Sequence, residues 1–425
     1  MTDAPFLDRA FAAICDTGGR LCGSPSERAA TALLKSLGQE ATGVAARAEP
    51  FEYGGWRPLA CALTGPDGAP LPAHPLVRSA PGEVEAEVID LGRGEPEAFA
   101  AHAGEIAGRI VLVRHELMFN PGTIHRRLKY RAAVEAGAVG FLIAGPVAGG
   151  CVAGSSGRAP QEAGIPAFGI SPEAAQALAR RAAGRPRARL SLTTEESPAT
   201  AENLFFDLPG RTDARVILTA HIDGHDLGES AIDNASGLAA ALEVARRLTA
   251  DRPAGGWRRG LTLAFFNAEE WALTGSALHV EAMSAAERAR VSLVANLDSP
   301  VGGMGPDGGL AALTCGMAGI EPMLLAAAEA EGLALRLHRP FQANSDHANF
   351  ARAGIPAFRL VAGFGQHEAP ARLVLTPRDR RDLVDPAELT RAAGLAERIV
   401  RHALDAPAED AAAWRAAAPA PAPAL

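Results

Sequence analysis

Residues 215–250 read "RVILTAHIDGHDLGESAIDNASGLAAALEVARRLTA". The stretch opens as an apolar, β-branched run of strand length and closes, from Ser236, as small and apolar residues at helical spacing. Between the two stand His221, Asp223, His225, Asp226, Glu229 and Asp233. A strand that passes into a helix through this much charge is the repeating unit of an α/β sheet whose loops carry chemistry.

The same rhythm continues in "GLTLAFFN" (260–267), "VSLVANLD" (291–298), "IEPMLLAAAEAEG" (320–332), "IPAFRLV" (355–361) and a last helix near 386–404. It predicts an α/β fold, a mixed and mostly parallel sheet covered by helices. In such sheets ligands bind beyond the carboxyl ends of the strands. The charges gather there: His221 and Asp223 after the first strand, Glu269 and Glu270 after the second, Asp298 after the third, and Asp233 just before a helix. One charged residue after a strand is ordinary loop polarity, but four such clusters along one sheet are not. Crowded carboxylates repel unless a cation or proton stands among them, and imidazole with carboxylate is a ligand set for zinc or a similar divalent ion.

The spacing suggests roles. In His221-x-Asp223 the acid is placed to accept the second ring N–H and fix the histidine as a neutral ligand. Asp233 occupies a Gly/Ala/Asn-rich turn where a carboxylate can bridge two ions roughly 3.5–4 Å apart. Glu269 and Glu270, adjacent on extended backbone, point different ways. One can bind metal while the other acts as general base toward water.

Upstream, "CGSPSERAATALLKSLGQEA" (22–41) predicts a helix with Ser24 as N-cap, Pro25 at its first position, Glu27 closing a capping box, and Ala29, Leu33, Leu34 and Leu37 on one face. From about 62 the chain turns to Gly, Pro and Ala-rich segments with short strands: "AEVIDLG", "GRIVLVRH", "AVGFLIAG" and "GIPAFGIS", then a helix near 172–183. This reads as a compact β-rich module with few candidate catalytic groups. The tail from 408, "AEDAAAWRAAAPAPAPAL", reads as a mobile, low-complexity Ala-Pro segment. The expected division is 1–60 (first part of the main domain), 61–195 (insertion), 196–407 (main domain) and 408–425 (tail).

With 425 residues, 48% of them hydrophobic and 21% charged, there is ample material for a core. The formal net charge of −8 offers no basic field for nucleic acid, and no apolar run approaches the roughly 20 residues that span a bilayer. The five cysteines include no Cys-x-x-Cys pair and imply neither a disulfide framework nor a cysteine metal site. "MTDAPFLDRAF" is a poor signal peptide, so a cytoplasmic protein is expected. The sequence does not decide between a monomer and a homo-oligomer.

"HIDGHDLGESAIDNASG", "FFNAEEWALTGS", "NLDSP", "NSDHANFARAGIPAF" and "TPRD", in this order, resemble the M28 family of zinc aminopeptidases and carboxypeptidases. "RLCGSPSERAA" looks like that family's N-terminal helix, and "GRIVLVRHELMFNPGTIHRRLKYRAAVEAGAVGFLIAG" with "IPAFGIS" looks like its inserted protease-associated (PA) domain. The resemblance implies two zinc ions, with His221 and Asp298 on one, Glu270 on the other, Asp233 bridging them through a turn with a cis Asp233–Asn234 bond, and Glu269 as general base. It also implies a peptide or related amide as substrate.

One departure stands out. The family places a fifth ligand, a histidine, directly before a Thr-Pro-x-Asp-like segment, where "LVLTPRD" has Leu375. His367 and His347 are the candidate replacements; water in the shell or a single working zinc is the alternative. His225, Trp271 and Asn344 are candidates to line the substrate pocket, with His225 equally a loop residue held by hydrogen bonds and Trp271 equally a core residue. An exopeptidase acting on a free amino terminus is the leading expectation. A dipeptidase, carboxypeptidase or glutaminyl cyclase on the same scaffold, or a non-catalytic binding protein with a degraded site, are the alternatives.

Overall fold

The computed structural model describes residues 5–179 and 184–416. The described strands form one mixed sheet of 14. Its centre is four parallel strands in the order Ala357–Val361, Val291–Leu297, Arg215–His221 and Gly260–Phe266. Apart from Arg215, every residue in them is buried. Continuous apolar runs, rather than alternating ones, are what a parallel sheet covered on both faces requires. Helices Ser236–Ala250 and Pro386–Asp405 pack against each other and against the Arg215–His221 strand.

Two long strands, Arg47–Thr64 and Arg187–Leu208, pair antiparallel along nearly their whole length. The second also pairs with Gly260–Phe266 at one end and with Gly82–Asp90 at the other. It thereby joins the central strands to a second parallel set, Gly82–Asp90, Ile110–Arg114, Gly140–Ala144 and Ala167–Ile170. The boundaries expected at 60/61 and 195/196 fall inside these two continuous strands. "TTEESPAT" has the composition of a linker, yet Pro198 pairs opposite Gly54. That part of the ribbon is only two strands wide and exposed, where proline is tolerated.

The opening helix runs Pro25–Thr42, and Ser24 Oγ accepts from the Glu27 N–H at 3.1 Å. Its buried face is Ala30, Thr31, Leu34, Leu37, Gly38 and Ala41, rotated from the expected one so that Ala29 is exposed. Gly38 sets the rotation, since a Cβ there would collide with the Phe206 ring of the sheet. Glu27 closes no box on Ser24; its carboxylate takes the Thr31 hydroxyl at 2.8 Å and the Asn267 amide at 2.7 Å. The tail expectation also needs correction. Ala408–Ala416 is a helix, and Trp414 is buried against Gly319, with the Arg259 guanidinium 5.9 Å from its ring. An alanine-rich segment is a good helix former once an aromatic side chain anchors it. Residues 417–425, and 180–183 of the helix expected near 172–183, lie outside the described residues. Among those described, no helix is long and apolar enough to cross a membrane.

Candidate active site

The loops after the central strands hold the charged residues. His221 ends its strand in register with Phe266. Asp298 directly follows Val291–Leu297. Asp233 lies in the turn Ala231–Ala235 leading into helix Ser236–Ala250, and the Asp233–Asn234 bond is cis. Asn234 ties this turn to the neighbouring strand. Its amide donates to the Leu297 carbonyl at 2.9 Å, and its Oδ1 accepts from the Gly237 and Ser299 N–H groups at 3.1 and 3.2 Å. Asp379, of "TPRD", accepts from the Ile232 N–H at 2.7 Å and the Asp233 N–H at 3.4 Å. The buried Arg20 donates to the Ile222, Glu229 and Ser230 carbonyls at 2.9, 2.9 and 2.8 Å.

Gly237 lies against the sheet, and a Cβ there would meet the Leu297 carbonyl oxygen and Asn234 Oδ1. Gly237→Ala is therefore expected to destabilise the fold by about 1–3 kcal/mol, read as a lower urea midpoint. An unchanged midpoint would show that the helix can shift without disturbing Asp298.

One cluster results. The ligand atoms of His221, Asp233 and Asp298 all lie within 4.8 Å of one another. His221 Nε2 is 3.0 Å from Asp233 Oδ1 and 3.5 Å from Asp298 Oδ1. Nitrogen and oxygen donors about 2.0–2.2 Å from a tetrahedral ion stand roughly 3.3–3.6 Å apart, so this set fits one divalent ion and leaves a position open. The Nδ1 of His221 faces the Asp223 backbone carbonyl at 3.0 Å, which directs Nε2 to the acids. The Asp223 carboxylate was expected in that role. It lies 3.8 Å from Nδ1 and instead accepts from the Glu269 and Glu270 N–H groups at 2.9 and 3.0 Å, fixing the turn that presents both glutamates.

Burial would lower the basicity of His221, but Glu269 and Asp298 overcome it and hold the ring well above its ordinary range. Burial raises the Glu269 carboxyl well above its usual value, and Asp298 and Glu270 add to that. Burial, with Asp233 beside it, pushes Glu270 up to about 8. Asp298 moves the other way. Against its burial, Arg359 and His221 hold it ionised. Arg359 Nη2 is 3.0 Å from Asp298 Oδ1, its Nε donates to the Asp298 carbonyl at 3.1 Å, and its Nη1 donates to the Asn344 carbonyl at 2.8 Å. The sequence signal for Arg359 is a lone cation inside the buried strand "AFRLV", which must be paired.

The other candidates separate. Glu270 faces the same cavity as the cluster but is not part of it. Leu375 is buried and lines that cavity, an apolar side chain in a left-handed backbone position (φ 64°) where no ligand atom is offered. His367 is exposed and lines no part of that cavity. His347 is buried at the start of helix His347–Arg352 with neither ring nitrogen hydrogen-bonded, and burial beside Arg359 pushes it down to about 3. It lines no part of the cavity. His225 is not a pocket residue either. It is buried, accepting from the Leu227 N–H at 3.2 Å, with Asp379 3.6 Å away. Trp271 is core: its ring donates to the Gly54 carbonyl at 3.0 Å and packs edge-on against Tyr53 at 5.7 Å. Asn344 does line the cavity.

That cavity has a volume of about 800 Å³. Asp233, Glu269, Glu270 and Asp298 line it together with Arg126, Arg127 and Tyr130 of the insertion. The insertion, expected to hold few catalytic groups, thus contributes charged lining to the cleft. "HRRLKY" caps and opens the helix Arg126–Glu135, whose first turn faces the cleft.

Solved structures share the fold. A peptidase M28 precursor from Shewanella amazonensis superposes with a TM-score of 0.76 at 22% identity, covering 95% of this chain and 94% of that one. A zinc aminopeptidase from Bacillus subtilis gives 0.73 at 24%, covering 95% and 96%. Residues 203–400 match the model of peptidase family M28, and residues 74–178 match that of the PA domain. Residues 203–400 are thus a peptidase family M28 domain and residues 74–178 a PA domain. A probable leucine aminopeptidase 2 from Aspergillus fumigatus is 29% identical over 62% of this chain and 53% of its own length. The chain thus spans about half the length of the curated relatives it matches.

Proposed function

We propose that this chain is a metal-dependent exopeptidase that releases amino-terminal residues from peptides, with one zinc ion on His221, Asp233 and Asp298 and with Glu269 as general base. The convergence of three buried donor atoms, with Asp233 and Asp298 lining a substrate-sized cavity, carries the reading. The name of the fungal relative favours a free amino terminus. Bound zinc supplies Lewis acidity, which polarises the scissile carbonyl and lowers the pKa of water toward roughly 7. Glu269 takes the proton of the attacking water and passes it to the leaving nitrogen as the C–N bond breaks, releasing an amino acid and a shortened peptide. Asp223 holds Glu269 in place through its backbone, and Arg359 keeps Asp298 ionised.

Zinc-loaded protein assayed on leucine p-nitroanilide and its N-acetyl derivative tests this. Cleavage of the free amine, lost on chelation and restored by zinc, is expected; cleavage of the blocked compound alone would overturn the amino-terminal reading.

The second ion of the family pattern is not part of the proposal, because Leu375 offers Glu270 no partner. Metal analysis of the zinc-saturated protein should give about one ion per chain, and Leu375→His about two. Two ions bound tightly by the parent would mean that another donor reaches Glu270.

A further inference from the structure

We propose that Arg20 is the positioning residue of the zinc site, holding the loop between His221 and Asp233 in its metal-binding shape before any metal arrives. This rests on the zinc site proposed above and deepens it. Arg20 stands in "TGGRLCGS" (17–24), between helices Phe6–Asp16 and Pro25–Thr42, and is fully buried. Its Nε donates to the Ile222 carbonyl at 2.9 Å. Nη1 donates to the Glu229 and Gly18 carbonyls at 2.9 and 3.3 Å, and Nη2 to the Ser230 carbonyl at 2.8 Å.

Three of these acceptors belong to the loop, and they stand at its two ends. Ile222 directly follows His221, while Glu229 and Ser230 directly precede the turn Ala231–Ala235 that carries Asp233. One side chain thus ties together the backbone beside two of the three donors of the cluster. The main chain adds a fourth tie, since the Gly224 N–H donates to the Arg20 carbonyl at 3.0 Å. Gly19 lets the two segments approach this closely, because a Cβ there would collide with the His225 and Gly228 carbonyls.

All the partners of the guanidinium are main-chain carbonyls, so it shapes backbone rather than neutralising one acid. Buried carbonyls that converge on one point need donors there, and a planar fork of N–H groups serves four of them at once. An ammonium group offers its donors from a single atom and cannot span both ends of the loop. Burial lowers the basicity of the guanidinium, and Asp379, Asp223 and Asp233 act against that. The loop also stores a backbone conformation that needs holding. Ser230 takes φ 48°, which a residue with a side chain keeps only where its surroundings fix it. Arg381 braces the outer side, its N–H and Nε donating to the Glu229 carboxylate at 2.9 and 3.0 Å. A loop closed in this way presents His221 and Asp233 together, and binding an ion then carries no cost of gathering them.

Hydrogen exchange and zinc affinity test this. The Gly224, His225 and Glu229 amides donate to the Arg20 carbonyl, Ser230 Oγ and the Asp379 carbonyl, and report whether the loop is closed. In the parent they should exchange equally slowly with and without zinc. Fast exchange that zinc slows would show that the metal orders the loop, and overturns the proposal whether or not any variant folds. Arg20→Lys keeps the charge but not the fork. It should speed exchange of these amides in the metal-free chain and lower zinc affinity, read by competition with a chromogenic chelator, roughly 10- to 100-fold. A lower urea midpoint with unchanged zinc affinity also overturns the proposal, and would make Arg20 a residue of the core alone. Should the parent bind no zinc, the zinc reading fails on its own. Exchange in the metal-free parent against Arg20→Lys then decides the loop: faster exchange in the variant supports the role of Arg20, and equal rates end it.

Discussion

Glu269→Gln lowers turnover roughly 10²- to 10⁴-fold while leaving fold and zinc content unchanged. The amide has the same shape, but it cannot take the proton of the attacking water. Its backbone N–H still donates to Asp223 Oδ1 at 2.9 Å, so the turn holding it is undisturbed. Glu269 is also outside the cluster of three donors, and its replacement removes no ligand from the ion. The contrast with its neighbour sharpens the expectation. Glu270→Gln should lower turnover far less, because Glu270 is neither the base nor a ligand of the single ion. Matched kcat values in parent and Glu269→Gln, at equal zinc content, would remove Glu269 from the chemistry. A larger loss in Glu270→Gln than in Glu269→Gln would exchange the two roles.

Which of these residues could be found from sequence follows from the range of the interactions that place them. His221 and Asp298 sit where apolar strands end, and Asp233 sits where a helix begins. Strand and helix periodicity locate such positions, and the resulting crowding of charge implies a cation. Asp223 is different. Its spacing from His221 suggests a bond to the ring, but its carboxylate is taken by the backbone of a turn some 46 positions away in the chain, which no local pattern encodes. Arg126 is further removed. Its relevance depends on how the insertion folds over the sheet, and that is set by the ribbon of Arg47–Thr64 on Arg187–Leu208, whose linker-like composition hides it. Composition misleads at the tail for a related reason: one buried tryptophan outweighs a run of alanines. His225 and Trp271 border the motif residues in sequence, but the fold turns both inward, onto Leu227 and Gly54.

Replacing His221 by alanine should abolish both zinc binding and turnover, and the pH dependence of zinc binding in the parent explains why. In the metal-free chain His221 stands between Asp233 and Asp298, with its basicity raised well above the ordinary imidazole range. That direction favours the protonated ring, and the imidazolium takes the place a metal would take among the acids. Zinc must displace that proton, so affinity should rise with pH, up to about tenfold per unit, until the folded-state pKa of His221 is passed. The stability of the metal-free fold runs the opposite way. A raised pKa contributes stability that is fully present below the unfolded value, roughly 6.5, and is lost as pH rises through the folded value. Calorimetric titration of apo-protein with zinc in buffers of different ionisation enthalpy, at pH 6, 7 and 8, measures both the affinity and the protons released. Release of at least one proton, with affinity climbing across the series, is expected of the parent. His221→Ala should show neither the binding nor the release, leaving Asp233 and Asp298 to repel each other unless one is protonated. Zinc affinity independent of pH in the parent would mean that the ring is neutral before metal arrives, and that a proton on one of the acids, rather than on the histidine, holds the empty site together.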